Sequence, residues 1–226
     1  INDHGDHVSF GAGTRQRAIE RSDIVSDRLP LVAKAVRNVG HQQTRNRGTI
    51  GGSIVHGDPS AELPMAALAL EATMILRAVS GETEMPIDGF FEAAMVTNIE
   101  PGQLLTEIRV PVWQDARIGT GFHETSSRQG DFAIVAAAAQ VALAEDGKVT
   151  RAAISVGGAA PSPVKLHGLE AALIGKSADG FQDIIALVDE EIDAETDVHA
   201  TAEYRRRVTR KLVSRAIDDA IAEAGK

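Results

Sequence analysis

The residues best suited to chemistry lie close together in the run Arg45 to Pro64, RNRGTIGGSIVHGDPSAELP. It holds the hydroxyls of Thr49 and Ser53, the glycines Gly51 and Gly52 around Ile50, and the carboxylates Asp58 and Glu62. Glycine and proline interrupt it too often for a plain helix or strand, so an irregular bend is expected. Gly51 and Gly52 can take positive φ and let another group approach the backbone closely. Successive free N–H groups at such a bend form a concave anion site, which is what a diphosphate needs. Glu62 can accept from the hydroxyls of a sugar or polyol, and an ionised acceptor makes the stronger, charge-assisted kind of bond. Pro64 disfavours helical geometry at Leu63, which places Glu62 in irregular backbone ahead of a helix. A second reading stays open on these residues alone: Glu62 is an acid at the positive end of the helix that follows.

Other chemistries fit less well. Gly11-Ala12-Gly13 begins like a dinucleotide fingerprint, but Gln16 stands where the third glycine belongs, and a tight turn is the better reading. Gly51 to Val55 begins like a nucleophile elbow and lacks its final glycine. No Gly-Lys-Ser/Thr occurs. His4, Asp6 and His7 read as a solvated turn, and His56 as a hydrogen-bonded side chain beside the loop. No metal ligand and no catalytic residue is assigned.

Composition sets the frame. The 226 residues are 43% hydrophobic and 24% charged, enough for a packed core. Aromatics make up only 4%, so that core is aliphatic. The net charge of −9 argues against nucleic acid and anionic membrane as partners, so a phosphate must be held by local dipoles and a few local cations. With no cysteine, disulfides, thiolate zinc sites and iron–sulfur clusters on this chain are excluded. No apolar run reaches membrane-spanning length and no signal peptide is visible, so a cytoplasmic location is expected. The chain starts at Ile1 and is read as processed or truncated.

The elements that must position these groups follow from patterning. A strand is expected at His7 to Gly11 after a turn at Asp3 to Asp6, then helices from Thr14 to about Arg21 and from Leu29-Pro30 to Val39. A buried helix is expected from Pro64 through Met65 to Glu71, then strands at Thr73 to Ala78, Thr83 to Pro86 and Leu104 to Val110. Pro111 to Gly119 is the expected domain boundary. Beyond it, Gly121 to Ser126, Phe132 to Leu143 and Val149 to Val156 read as strands, although Ala136 to Ala139 would also suit a helix. Helices are expected at His167 to Ile174, Gly180 to Ile192 and Ala202 to Ala224. The last carries Tyr204, Val208, Leu212, Ala216 and Ile221 on one face.

The run RNRGTIGGSIVHGDPSAELP resembles the second FAD-binding loop of the flavoprotein subunit of molybdenum hydroxylases, the group of carbon monoxide dehydrogenase medium subunits and the xanthine dehydrogenase flavin domain. Further matches fall in the same order: Gly11 to Thr14, Ser22 to Leu31, Leu104 to Pro111, Ser127 to Ala133, with its Arg-x-x-Asp, and Ala202 to Arg205. The resemblance implies an α+β protein. Residues 1–117 would be a PCMH-type FAD-binding domain lacking its N-terminal part, where the family's first FAD loop lies. Residues 118–226 would be a C-terminal domain of a three-stranded antiparallel sheet plus a helical bundle. It also implies that Thr49, Ile50, Gly51, Gly52 and Ser53 meet the FAD pyrophosphate, that Asp58 fixes the loop or touches the cofactor, and that Glu62 binds the ribityl hydroxyls. Leu105, His123 and Phe132 would lie by the isoalloxazine, with His123 where related chains often carry lysine. The implied role is electron transfer. The molybdenum cofactor would sit on a large partner subunit and the [2Fe-2S] clusters on a small one, in a dimer of heterotrimers. The alternatives are a stand-alone flavin oxidoreductase, with His123 as its acid or base, and a non-catalytic assembly subunit.

Overall fold

A tight hairpin starts the chain: β1 (Asn2–Asp3) returns on β2 (His7–Gly11) through Gly5 at φ 91°. The computed structural model describes every residue of Ile1–Lys226 except Gln129 and Asp179. Four short helices follow: α1 (Gln16–Glu20), α2 (Asp23–Arg28), α3 (Pro30–Asn38) and α4 (Gln42–Arg47). The Ser22 hydroxyl caps α2 by accepting from the Val25 N–H. Pro30 occupies the first turn of α3, where its missing N–H costs nothing. Neither α2 nor α4 is expected from periodicity, since each is only six residues long.

Two further helices carry the glycine-rich run. α5 (Ile50–His56) lies where an irregular bend is expected, and α6 (Glu62–Ala69) begins two residues before Pro64. The second difference has a simple cause. The first four N–H groups of a helix need no partner within it, so a proline at the third position of α6 removes nothing. All eight residues of α6 are buried.

β3 (Thr73–Ala78), β4 (Gly81–Pro86) and, after the small pair β5 (Phe91–Ala93) and β6 (Val96–Thr97), β7 (Leu104–Pro111) complete a five-stranded antiparallel sheet of order β1-β2-β7-β3-β4. A second sheet comprises β8 (Ile118–Ser126), β9 (Ala133–Leu143), β10 (Val149–Gly157) and β11 (Val164–Lys165). Its order is β11-β10-β9-β8, so it has four strands where three are expected.

Helices α7 (His167–Leu173), α8 (Val188–Glu191) and α9 (Ala202–Ala224) pack beside this second sheet. The single helix expected over Gly180 to Ile192 is instead a 3-10 helix (Gln182–Leu187) running into α8. Its buried residues Phe181, Ile185, Val188 and Ile192 are spaced by three and four, a pattern that suits either winding. On α9 the buried set includes Arg205, Thr209, Leu212, Val213 and Ala216, whereas Tyr204 and Val208 are only half-buried. The inward face is therefore rotated by about one residue from the expected one.

The alanine run settles as strand because β9 is buried on both faces. Val135, Ala137, Ala139 and Val141 face the core under α9, and Ala136 and Ala138 face the core shared with α3 and α6. Small side chains let helices close on both sides. β8 goes further: a Cβ on Gly119 or Gly121 would lie 2.0 Å from the carbonyl oxygens of Ala220 or Ala216 on α9. The two halves are joined by polar clasps as well. The Ser155 hydroxyl donates to the Met65 carbonyl at 2.8 Å, and the Lys34 ammonium donates to the Thr120 carbonyl and the Glu223 carboxylate at 2.6 and 2.8 Å.

Candidate functional site

Thr49 caps α5, and its side-chain oxygen accepts the Gly52 N–H at 3.0 Å. An antiparallel bridge between Arg15 and Thr49 ties the cap to the turn between β2 and α1. The Ile50 N–H donates to the Thr14 carbonyl at 3.0 Å and the Gly51 N–H to the Ala12 carbonyl at 3.0 Å, while the Ser53 N–H donates to the Thr49 carbonyl at 3.1 Å. The expectation of free successive donors is therefore corrected: each has a protein acceptor. Neither Gly51 nor Gly52 takes positive φ. Both serve close approach instead. A Cβ on Gly51 would lie 2.6 Å from the Ala12 Cβ, and one on Gly52 would lie 2.8 Å from the Thr49 oxygen. Gly57 at φ 65° closes the helix. Gly52 is exposed and Ser53 half-buried at the outer edge of this turn, and the exposed Arg15 guanidinium donates to the Arg47 carbonyl beside it. Arg15 is a local cation that the sequence alone does not single out, because only the bridge brings it to Thr49.

After Gly57 the chain turns sharply. Asp58 is buried and its carboxylate accepts the Ser60 N–H at 2.8 Å, fixing the approach to α6. Glu62 follows in the first turn of α6 with only 4% of its surface exposed. Burial pushes its carboxyl up to about 7; the negative charges of Glu124 and Asp58 push the same way, and Arg45 opposes them. It lines a cavity of about 170 Å³ with Val39, Gly40, Thr44, Gly130, Asp131 and Phe132. Gly130, Asp131 and Phe132 also border a wider depression of about 690 Å³ that reaches Asp58, Ser60 and Arg205.

The turn leading to β9 shapes this opening. The Arg128 guanidinium donates to the Asp131 carboxylate at 3.0 Å, bracing the Arg-x-x-Asp segment, of which Gln129 lies outside the described residues. Gly130 has φ 84°, and a Cβ there would lie 2.4 Å from the His41 ring. Phe132 is left 62% exposed, a large ring at the mouth of a cavity whose wall includes a buried acid.

His123 and Leu105 are placed elsewhere. The His123 ring nitrogen lies 2.9 Å from the Asp219 carboxylate of α9, so the side chain faces the helix rather than the cavity. Leu105 is 5% exposed and belongs to the core of the first sheet, opposite Leu76. Side chains alternate along a strand, so the residue after His123 faces the other way. That residue is Glu124. Its Oε2 is buried without a hydrogen-bond partner among the described residues, and burial pushes its carboxyl up to about 7. The signal for Glu124 is the Phe122/Glu124 alternation, legible only once the strand's inner face is known. The structure thus sets Glu62 and Phe132 on one cavity and Asp58 and Phe132 on the adjoining depression, with the Glu124 carboxyl near enough to Glu62 to act on its charge.

Such an arrangement suits a ligand with a flat ring and a hydroxyl-bearing chain. Comparison with known proteins agrees. The profile described as FAD binding domain in molybdopterin dehydrogenase matches residues 1–113, and that of the CO dehydrogenase flavoprotein C-terminal domain matches residues 120–220. Subunit alpha of the 6-hydroxypseudooxynicotine dehydrogenase complex of Paenarthrobacter nicotinovorans is 36% identical over 96% of this chain and 74% of that protein. The carbon monoxide dehydrogenase medium chain of Hydrogenophaga pseudoflava is 32% identical over 98% of this chain and 77% of that protein. Among solved structures, carbon monoxide dehydrogenase from Hydrogenophaga pseudoflava lacking the Mo-pyranopterin moiety superposes with a TM-score of 0.93 at 32% identity, covering 99% of this chain and 78% of that one. Quinoline 2-oxidoreductase from Pseudomonas putida 86 gives 0.92 at 26% identity, over 100% and 79%. With both halves matched in order and the fold shared along its length, this chain belongs to the FAD-binding medium-subunit family of carbon monoxide dehydrogenase-type molybdenum hydroxylases.

Proposed function

We propose that this chain carries FAD and passes electrons from the iron–sulfur clusters of a partner to an external acceptor. Its partners are a large subunit with the molybdenum cofactor and a small subunit with [2Fe-2S] clusters, assembled as a dimer of heterotrimers in the cytoplasm. The carrying observation is the buried Glu62 carboxyl on a cavity whose mouth holds the exposed ring of Phe132, in a chain of an FAD-binding family. Bound FAD supplies two-electron storage with one-electron exchange; the protein supplies position and field.

The residues fit the cofactor unevenly. The ring and polyol end fits well: Phe132 offers an exposed aromatic face and Glu62 offers acceptors on the cavity wall. The diphosphate end fits through side chains rather than main-chain donors, since those of Ile50 to Ser53 are engaged. Thr49 and Ser53 present hydroxyls at the outer edge of the turn, the exposed Gly52 leaves room for close approach, and Arg15 is the local cation. Ile50 and Gly51 hold that turn in place, Asp58 fixes the bend before Glu62, and Leu105 supports α5 from the sheet beneath. The FAD-binding part is assigned to residues 1–117 and the C-terminal domain to 118–226. A stand-alone oxidoreductase with its own acid–base group is disfavoured, because His123, the candidate for that task, faces α9.

The test is a flavin titration of the full-length protein carrying Glu62→Ala. Loss of charge-assisted bonds worth about 1.5–3 kcal/mol weakens FAD binding by roughly ten- to a hundredfold while the circular dichroism is unchanged. Unaltered flavin affinity would falsify the role given to Glu62.

A further inference from the structure

Helix α9 carries a second feature that the cofactor site does not use. Arg207, Lys211 and Arg215 recur at intervals of four residues and so form a stripe along one face of the helix. They border a groove of about 720 Å³ whose floor includes Ile185 and Leu212. A fourth cation at the groove, Arg210, is already paired with Asp189. Among the described residues, Arg207, Lys211 and Arg215 make no ion pair, and Arg207 lies over the Tyr204 ring at 5.6 Å.

Like charges at i,i+4 destabilise a helix by a few tenths of a kcal/mol per pair. Between Glu203 and Arg215 the chain places six cations against the single acid Glu203, although its net charge is −9. The stripe is therefore a local concentration and not a sample of a generally basic surface. A nucleic acid would meet the repulsion of the whole acidic molecule and of Asp218 and Asp219 one turn further on. An acidic peptide segment with an apolar anchor suits the groove: its carboxylates would meet the cations at one-turn spacing and its apolar side chain the floor of Ile185 and Leu212.

We infer that the Arg207–Lys211–Arg215 groove docks an acidic, apolar-anchored segment of a partner subunit. This rests on the reading of the chain as one subunit of a larger complex. The experiment is to purify the native complex with wild-type flavoprotein and with Lys211→Glu/Arg215→Glu. Subunit stoichiometry is read by native mass spectrometry across a salt series, and flavin content by absorbance. The variant is expected to shed a partner subunit at about 0.15 M salt, with its dissociation constant raised about tenfold or more and its flavin content unchanged. Its isolated chain should keep the wild-type circular dichroism, because neither Lys211 nor Arg215 makes an ion pair among the described residues. Lys211→Gln/Arg215→Gln should give a smaller shift in the same direction. A double-reversal variant that keeps every subunit at the wild-type salt midpoint overturns the docking surface alone. A wild-type preparation that brings down no partner subunit overturns both the surface and the complex it rests on.

Discussion

Glu62 and Glu124 are two neighbouring carboxyls, each pushed up to about 7, with burial as the main cause for both. In the unfolded chain each titrates near the ordinary glutamate value, about 4.3. Between that value and about 7 the folded protein therefore holds protons that the unfolded chain has released, so stability falls as pH rises through this window. Below it both states are protonated and the penalty vanishes. Glu124→Gln removes one of the two groups and relieves the field on its neighbour. Calorimetry should show the variant melting above wild type at pH 8 and level with it at pH 4. Glu170, likewise pushed up to about 7 by burial, is common to both proteins and cancels in the comparison. Equal melting at both pH values would mean that the Glu124 oxygen is not isolated in the folded state.

At the scale of elements, α5 shows where local rules give way. Two glycines argue against helix, yet Thr49 supplies a side-chain cap and Gly57 a left-handed stop, and the turn between them winds helically. Thr49→Ala should lower stability by about 1 kcal/mol in denaturant titration through loss of that cap. The five strands Val8, Met74, Thr83, Ile108 and Ala153 belong to were legible because alternation and turn residues act locally. The glycines' purpose was not, because Ala12, the atom group that excludes a side chain at Gly51, is remote in sequence. The same limit hid Glu124 behind His123: strand register decides which of two neighbours faces α9 and which comes near Glu62, and register is a tertiary fact. That Glu62 is no ordinary surface acid was legible from its place between two prolines, although it lies buried in the first turn of α6 and not ahead of the helix.

At the scale of the whole molecule, the two sheets meet through α3 and α6, and the clasp of Lys34, Thr120 and Glu223 links α3, β8 and α9. The Thr120 N–H and hydroxyl both donate to the Glu223 carboxylate, at 2.6 and 2.9 Å. Gly121→Val is expected to weaken the protein by about 3 kcal/mol or more, since an added side chain must push α9 away from the sheet. Chemical unfolding checks this, and a loss below about 1 kcal/mol would mean that the helix can retreat freely.

Main chain touching main chain leaves no rotamer to adjust. Where α9 rests its carbonyls on Gly119 and Gly121, no side chain fits between helix and sheet. The height of α9 above β8 is therefore set by main chain and not by a side chain. Substitutions along the exposed outer stripe can therefore change its charge while the seat of the helix stays as it is.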